Sequence, residues 1–395
     1  MLFQTLDEKE NCVSVYLDGA LHKEVDFSKL TKTWKYSAFL QDYNIEYASL
    51  YCQGKSLDEV CPDHLKERWA KISNKLKAHY RSFLEAKISL TDNCFFDLVP
   101  HSFLLEFCDI KNQITEYVFE TYERPANYDF MAGLAKLIVH IKYSPLSVDI
   151  SRLSHRMSEY KVRKFCKKIR NIAPYIDYNM FGTKTGRLST KRSSFPILTM
   201  DKAYRAILRP QNDLFLELDY NAAELRTFLS LSGKEQPTED IHDWNVKNVY
   251  RNLLTRDEAK KRIFAWLYNP SSRDYLSSRV YDCEKVLQQY WDGECVTTMY
   301  DRKIPADRHH ALNYIVQSTF SDLILRQAIK INNMTKNLKT KIAFMIHDSI
   351  ILDYSKDDES ELADLTETFS DTELGNFRAS VKFGENFGEM RETWM

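Results

Sequence analysis

Paired cysteines are absent from this chain of 395 residues. Its eight cysteines form no Cys-x2-Cys pair and no paired Cys/His spacing. That argues against a zinc site and against a disulfide scaffold, and it fits a reducing interior. Long hydrophobic runs are also missing. The apolar stretch Ala135-Lys-Leu-Ile-Val-His-Ile141 is too short and too interrupted to span a membrane. The first ten residues do not read as a signal peptide, so a cytoplasmic setting without membrane contact is expected. Nor is there an excess of one charge: 55 Lys and Arg against 56 Asp and Glu leave a net charge of −1. Bulk charge therefore announces no polyanionic partner. Neither an internal repeat nor a low-complexity linker breaks the chain. What remains is an ordinary globular composition, 44% hydrophobic and 28% charged, of a size for two to three domains or one multi-lobed domain.

Local charge is more informative. Between Ser151 and Arg170 stand Arg152, Arg156, Lys161, Arg163, Lys164, Lys167, Lys168 and Arg170, against the single acid Glu159. Such a block either neutralises phosphates or forms a solvated helix face. Upstream, residues 63–90 read as a long helix capped by Asp63, with Leu65, Trp69, Ile72, Leu76 and Tyr80 as its apolar stripe. Two further helices are expected over 101–122 and 128–142. From Leu214 the pattern changes. Leu214–Tyr220 reads as a strand, a helix follows to Leu231 and stops at Gly233, and residues 243–290 are mostly helical. A long helix is expected over 306–335. Lys341–Ile346 and Ile350–Tyr354 read as two strands around a tight turn, followed by a helix over 357–370 and a last strand over 378–384.

Within the helical stretch, Arg256, Lys260, Phe264 and Tyr268 recur every four positions. On an α-helix that spacing forms one stripe carrying two cations and two rings. The stripe suits a triphosphate at one end and a base at the other; taken alone, it reads first as an amphipathic helix with a basic edge. Thr255 and Glu258 supply a capping box at its start, and Asn269-Pro270 a stop.

The pattern Arg-x3-Lys-x3-Phe-x3-Tyr resembles the nucleotide-binding finger helix of family A DNA polymerases, the DNA polymerase I type. Other segments resemble that family's motifs in the same order. They are Thr185-Gly-Arg-Leu-Ser189, Leu218-Asp-Tyr-Asn-Ala-Ala-Glu-Leu-Arg226, Asp240-Ile-His242, Asn313-x3-Gln317-x-Thr319-x2-Asp322, Ile346-His-Asp-Ser349 and Val381–Phe387. The resemblance covers residues 180–395 firmly, 60–180 loosely and 1–60 not at all. It implies an α+β right-hand polymerase fold with an antiparallel-sheet palm, helical fingers and a helical thumb. The expected division is an N-terminal segment of unknown role over 1–60, a thumb over 61–180, palm over 181–240 and 306–395, and fingers over 241–305.

The resemblance also implies roles. Asp219 and Asp348, with the carbonyl of Tyr220, are expected to hold two Mg²⁺ ions, for which Mn²⁺ substitutes. Facing carboxylates repel unless a cation intervenes, and Mg²⁺ takes its remaining ligands from water and phosphate. Arg256 and Lys260 are expected on the β- and γ-phosphates, with Lys260 also protonating the pyrophosphate, and His242 adds a phosphate contact. Phe264 packs on the incoming nucleotide, Tyr268 lies near the templating base, and Glu224 excludes a ribose 2′-hydroxyl. Thr185, Arg187, Asn313, Gln317 and His347 are the expected DNA contacts, with Arg302 and Arg209 as further candidates for backbone phosphates. The implied partners are primer-template DNA, dNTPs and replication or processivity factors, and a monomer is expected.

Several positions depart from the family pattern. Ala222 stands where a Gln often contacts phosphate, Ser349 replaces a Glu, and Ile263 and Ala265 replace Asn and Gly. Asn269 replaces a Gly and suits a left-handed helix end, and His309 stands where an Arg is usual. This set resembles divergent, phage-type members, implying a virus-encoded protein in a bacterial host. The family's 3′–5′ exonuclease pattern of Asp-x-Glu and Tyr-x3-Asp is not found upstream of 180; Asp371-Thr-Glu373 matches only its first element. The expectation is a DNA-dependent DNA polymerase without proofreading. The rivals are a single-subunit RNA polymerase and a non-catalytic DNA-binding replication protein on a polymerase scaffold.

Overall fold

The computed structural model describes residues 1–7, 12–90, 92–269 and 272–392. Residues 8–10 of the N-terminal stretch and Pro270, the expected helix stop, lie outside them. Two compact units are formed, Met1–Val139 and His140–Met395. The division falls at neither 60 nor 180.

The first unit combines a small antiparallel sheet, β1 (Gln4–Thr5), β2 (Val15–Leu17) and β3 (Ala20–His22), with helices α1 (Lys66–Glu85), α2 (His101–Thr121) and α3 (Tyr128–Tyr143), whose last turn belongs to the second unit. Residues 1–60 are built into this unit. The Gln4 amide donates to Thr115 Oγ1 (3.0 Å), and the Tyr47 N–H donates to the Tyr128 hydroxyl (2.8 Å). Asp63 does not cap α1; it opens a 3₁₀ turn, Asp63–Leu65, that leads into the helix. Of the expected stripe, Leu65, Trp69 and Ile72 are buried, whereas Tyr80 is 40% exposed.

One expectation is overturned here. A disulfide joins Cys12 to Cys94, with Cα atoms 5.2 Å apart. The two cysteines are 82 positions apart, so local spacing could not reveal a pairing that tertiary contact creates.

The second unit is organised by a five-stranded antiparallel sheet. Its strands are β4 (Leu214–Tyr220), β5 (Lys341–Ile346), β6 (Ser349–Tyr354), β7 (Ala379–Gly384) and β8 (Arg391–Glu392), in the order β5-β6-β4-β7-β8. β4 is central because its apolar residues pack on both faces. Successive side chains point to opposite sides of a strand. On one face the Tyr220 ring stacks on Phe369 at 4.0 Å and meets Phe320 edge-on at 6.1 Å. These rings come from helices α11 (Leu362–Ser370) and α10 (Arg308–Met334). On the other face lie Phe215, packed against Phe344, then Glu217 and Asp219. Alternation alone thus delivers Asp219 to the face away from the helices.

The remaining helices of the unit are α4 (Tyr160–Arg170), α5 (Ala223–Leu231), α6 (Ile241–Asn248), α7 (Arg256–Tyr268), α8 (Tyr275–Tyr281) and α9 (Cys283–Tyr290). α4 buries Val162, Cys166 and Ile169 beneath its basic residues. α5 ends before Gly233, whose φ of +74° is the left-handed turn expected there. The capping box on α7 is present: the Thr255 N–H donates to Glu258 Oε2 (2.9 Å), and Thr255 Oγ1 accepts from the Glu258 N–H. Ala259, Ile263, Trp266 and Leu267 form its buried face, so the Arg256-to-Tyr268 stripe looks outward. Asn269 is extended (φ −115°, ψ 99°) rather than left-handed. A residue preceding proline is pushed out of the helical region into the β region, and that constraint prevails. No helix among the described residues is long and apolar enough to cross a membrane.

Candidate active site

Two cavities of the second unit share Ala222 and Phe264 as common walls. The first, about 510 Å³, is lined by Arg187, Glu224, Phe264, Tyr268, His347 and Asp348 among others. The second, about 550 Å³, is lined by Asp219, Tyr220, His242, Arg256, Lys260 and Arg378 among others. The expected nucleotide residues therefore gather around these two spaces.

The carboxylates are placed by strand pairing. Asp219 is opposite Ser349 in the β4–β6 ladder, and Ser349 Oγ donates to Asp219 Oδ1 (2.8 Å). Asp348 occupies the turn between β5 and β6, made possible by His347 at φ +51°. Burial raises the Asp219 carboxyl above its ordinary value, and Glu217 and Asp348 add to this; the Ser349 hydrogen bond and Lys382 oppose it. Burial likewise raises Asp348, against the pull of Arg187 and His347. Two half-buried, mutually repelling carboxylates have the chemistry that a hard cation would relieve. Among the described residues, no group of three or more His, Cys, Asp or Glu side chains is arranged to hold a metal ion, so further ligands would come from backbone, water or substrate. The Tyr220 side chain is committed to the core, its hydroxyl donating to the Phe369 carbonyl (2.5 Å), which leaves its backbone for the cavity.

Glu224 lies in the first turn of α5 and is buried, with 6% of its surface exposed. Arg187 Nη2 donates to its Oε1 at 2.5 Å. Burial raises the Glu224 carboxyl and Arg187 partly offsets the rise. Arg187 is carried by a loop closed by the pairing of Tyr178–Asn179 with Ser189–Thr190, and the Tyr178 hydroxyl anchors it through the Met345 carbonyl and N–H. Gly186 has φ +79°, and a Cβ there would meet Arg302 Nη2 at 2.6 Å.

On the helical side, Phe264 and Tyr268 lie nearly parallel, their ring centroids 6.0 Å apart. Lys260 is exposed. Arg256 Nη2 donates to Asp240 Oδ2 (2.8 Å), and Asp240 also caps α6 through the His242 and Asp243 N–H groups. Burial pushes the Asp240 carboxyl up, but hydrogen bonds from Arg256, Asn221 and the Asp243 amide outweigh it and hold it well below the carboxylate range. His242 is 2% exposed, and its Nδ1 has no hydrogen-bond partner among the described residues. Burial depresses its imidazole to about 4, so it stands neutral at neutral pH beside Phe264.

The fold is similar to that of the POL domain of Pol1 from M. smegmatis, solved in complex with DNA primer-template and dNTP. The similarity has a TM-score of 0.54 at 11% identity and covers 72% of this chain and 75% of that one. The chain is 25% identical over 239 residues to the thermostable DNA polymerase I of Thermus aquaticus, a match covering 48% of this chain and 29% of that relative. No family model matches the sequence.

Not every expected residue meets the cavities. Thr185 is buried at 8% exposure and lines neither. Asn313 and Gln317 are half-buried on α10, while Phe320, Ser321, Ile324 and Leu325 of the same helix reach the first cavity. Arg302 is no free phosphate ligand: its Nε and Nη2 hold both oxygens of the wholly buried Asp322 at 3.0 and 2.6 Å. A buried acid claims the guanidinium it can reach, and the charge of Arg326 adds to the pull of Arg302.

Sequence reading gave no role to Arg226 or Asn221. The Arg226 guanidinium, fully buried, donates to the carbonyls of Asn221, Pro237 and Glu239 and to Asn221 Oδ1. Asn221 Nδ2 donates to Asp240 Oδ2 (2.8 Å). A chain of hydrogen bonds thus runs from the end of β4 to Arg256. Its only sequence signal is a charged residue at a buried helix position.

Proposed function

We propose that this chain is a template-directed DNA-dependent DNA polymerase that extends a primer 3′ end with dNTPs. The observation carrying this reading is the gathering of Asp219, Asp348, Arg256, Lys260, Phe264, Tyr268 and Glu224 around two cavities that share a wall. The similarity of the fold to a polymerase domain supports it.

Asp219 and Asp348 would hold two Mg²⁺ ions, or Mn²⁺, with the Tyr220 carbonyl as a further oxygen donor. Such ions supply charge neutralisation at the attacking and leaving oxygens of a phosphoryl transfer. Arg256 and Lys260 bind the β- and γ-phosphates, where positive charge stabilises the departing pyrophosphate. In this reading Lys260 also gives it a proton. Arg256 exchanges Asp240 for phosphate, and buried His242 offers its unpartnered ring nitrogen. Phe264 and Tyr268 present adjacent ring faces to the sugar, base and template. Glu224, held by Arg187, fills the space a ribose 2′-hydroxyl would need. Arg187, His347, Asn313 and Gln317 are the primer-template contacts of this reading, and α4 offers its cations to duplex phosphates.

Primer extension with dNTPs or rNTPs, in Mg²⁺ or EDTA, tests the reading. Template-dependent growth with dNTPs and Mg²⁺ alone is expected. Growth with rNTPs would favour the RNA polymerase alternative, and DNA binding without growth the non-catalytic one. We also propose that this chain does not proofread. A primer mismatched at its 3′ end should keep its length in Mg²⁺ without dNTPs, and stepwise shortening would refute this.

A further inference from the structure

Arg378 immediately precedes β7 and lines the second cavity with Asp219, His242, Arg256 and Lys260. Its place is fixed by the sheet. The Arg378 carbonyl accepts from the Asn221 N–H (2.9 Å), and the next two residues pair with Tyr220 and Asp219. It therefore rises from the strand beside Asp219, whereas Arg256 and Lys260 come from α7.

Three neighbouring cations are occupied. Arg256 holds Asp240, Lys382 holds Glu217 at 3.1 Å, and Arg226 is surrounded by oxygen acceptors. The exposed Arg378 guanidinium makes no hydrogen bond or ion pair with any described residue. Its charge also acts on the buried guanidinium of Arg226, which is depressed to about 10, first by burial and next by Arg378. Two like charges thus act on each other here. The cavity's acids are Asp219, Asp240 and Glu392; Asp240 is committed to Arg256 and Asn221, and Asp219 accepts from Ser349.

We infer that Arg378 is a nucleotide-binding residue that contacts the terminal phosphates of the incoming triphosphate from the sheet side, opposite Arg256 and Lys260. The triphosphate is then gripped from two walls. This rests on the polymerase reading, and the contact is an ordinary charge-assisted one.

The test is steady-state primer extension by Arg378→Ala and Arg378→Lys variants, with primer-template affinity and melting temperature measured in parallel. Arg378→Ala should raise the KM for dNTP roughly tenfold to hundredfold and weaken inhibition by inorganic pyrophosphate in proportion. DNA affinity should not change, and Arg378→Lys should recover part of the loss. An unchanged dNTP KM in a folded Arg378→Ala variant would overturn the assignment while leaving the polymerase reading intact. Should the parent protein extend no primer, that reading falls, and calorimetric binding of inorganic tripolyphosphate decides separately. Weaker binding by Arg378→Ala than by the parent supports the anion site, and equal binding removes it.

Discussion

Asp219 and Arg256 line the same cavity but are held in opposite ways. Asp219 lies on the central strand of a five-stranded sheet, paired on both sides and hydrogen-bonded by Ser349. Arg256 starts a helix, is 45% exposed in its side chain, and is tied down by ion pairs to Asp240 and Asp243 at 2.8 and 3.8 Å. The carboxylates are fixed by backbone register, whereas the cations rest on exchangeable partners. Surface ion pairs of this kind hold weakly. The difference suits the proposed reaction, in which metal-binding groups would already be in place while phosphate-binding groups would receive each nucleotide and release each pyrophosphate.

The largest expected effect lies on the fixed side. Asp219→Asn and Asp348→Asn should each lower primer extension by on the order of a thousandfold or more, with primer-template affinity retained. Near-normal rates in either variant would show that the rigid wall is not where the chemistry occurs.

On the exchangeable side, Arg256→Ala and Lys260→Ala should raise the KM for dNTP roughly ten- to hundredfold, the value of a charge-assisted contact of about 1.5–3 kcal/mol. Asp240→Asn sharpens the comparison, because it frees Arg256 without removing it. If Asp240 only parks the guanidinium, dNTP affinity should hold or improve. A loss as large as that of Arg256→Ala would mean the pair is structural.

Glu224 belongs to the fixed wall but, in the proposed function, would act on selectivity. Glu224→Ala should raise incorporation of ribonucleotides relative to deoxyribonucleotides by roughly tenfold, in keeping with the discrimination available from small steric changes. An unchanged ratio would leave Glu224 a helix-start acid paired with Arg187 and nothing more.

The smallest effect is thermal. Burial raises Asp219, Asp348 and Glu224 above their ordinary carboxylate values. For an acid raised in this way, the favourable contribution is present below the unfolded pKa and disappears as pH rises through the folded pKa. Without divalent cations, stability should therefore decline as pH climbs past the carboxylate range. MgCl₂ at neutral pH should raise the melting temperature, by the equivalent of about 1.4 kcal/mol at about ten times Kd. At acidic pH, where the carboxyls are protonated, that rise should shrink. A rise of equal size in a protein carrying both Asp219→Asn and Asp348→Asn would place the cation elsewhere.

How far the sequence could be read follows the same contrast. The strand Leu214–Tyr220, the turn at His347-Asp348 and the capped helix Arg256–Tyr268 were all legible, because period, cap and turn chemistry are local. Partnerships made across the fold were not. Nothing local marks Arg302 as the partner of buried Asp322, Cys12 as the partner of Cys94, or Arg187 as the holder of Glu224. Asn313 and Gln317 were assigned to DNA by resemblance, not to the nucleotide cavity. Which residues of α10 reach the cavity depends on how the helix is rotated against the sheet, and there it is Phe320 and Ser321.

The alternation along Leu214–Tyr220 carries a cost of another kind. Exchanging Leu216 or Leu218 for another apolar residue changes packing by degrees. Removing one residue from the strand changes parity: every side chain beyond the gap would swap faces, Tyr220 would enter the cavity and Asp219 would be driven against Phe369. This segment is therefore tolerant of spelling but not of counting, and a single-codon deletion there should silence the protein more surely than most substitutions.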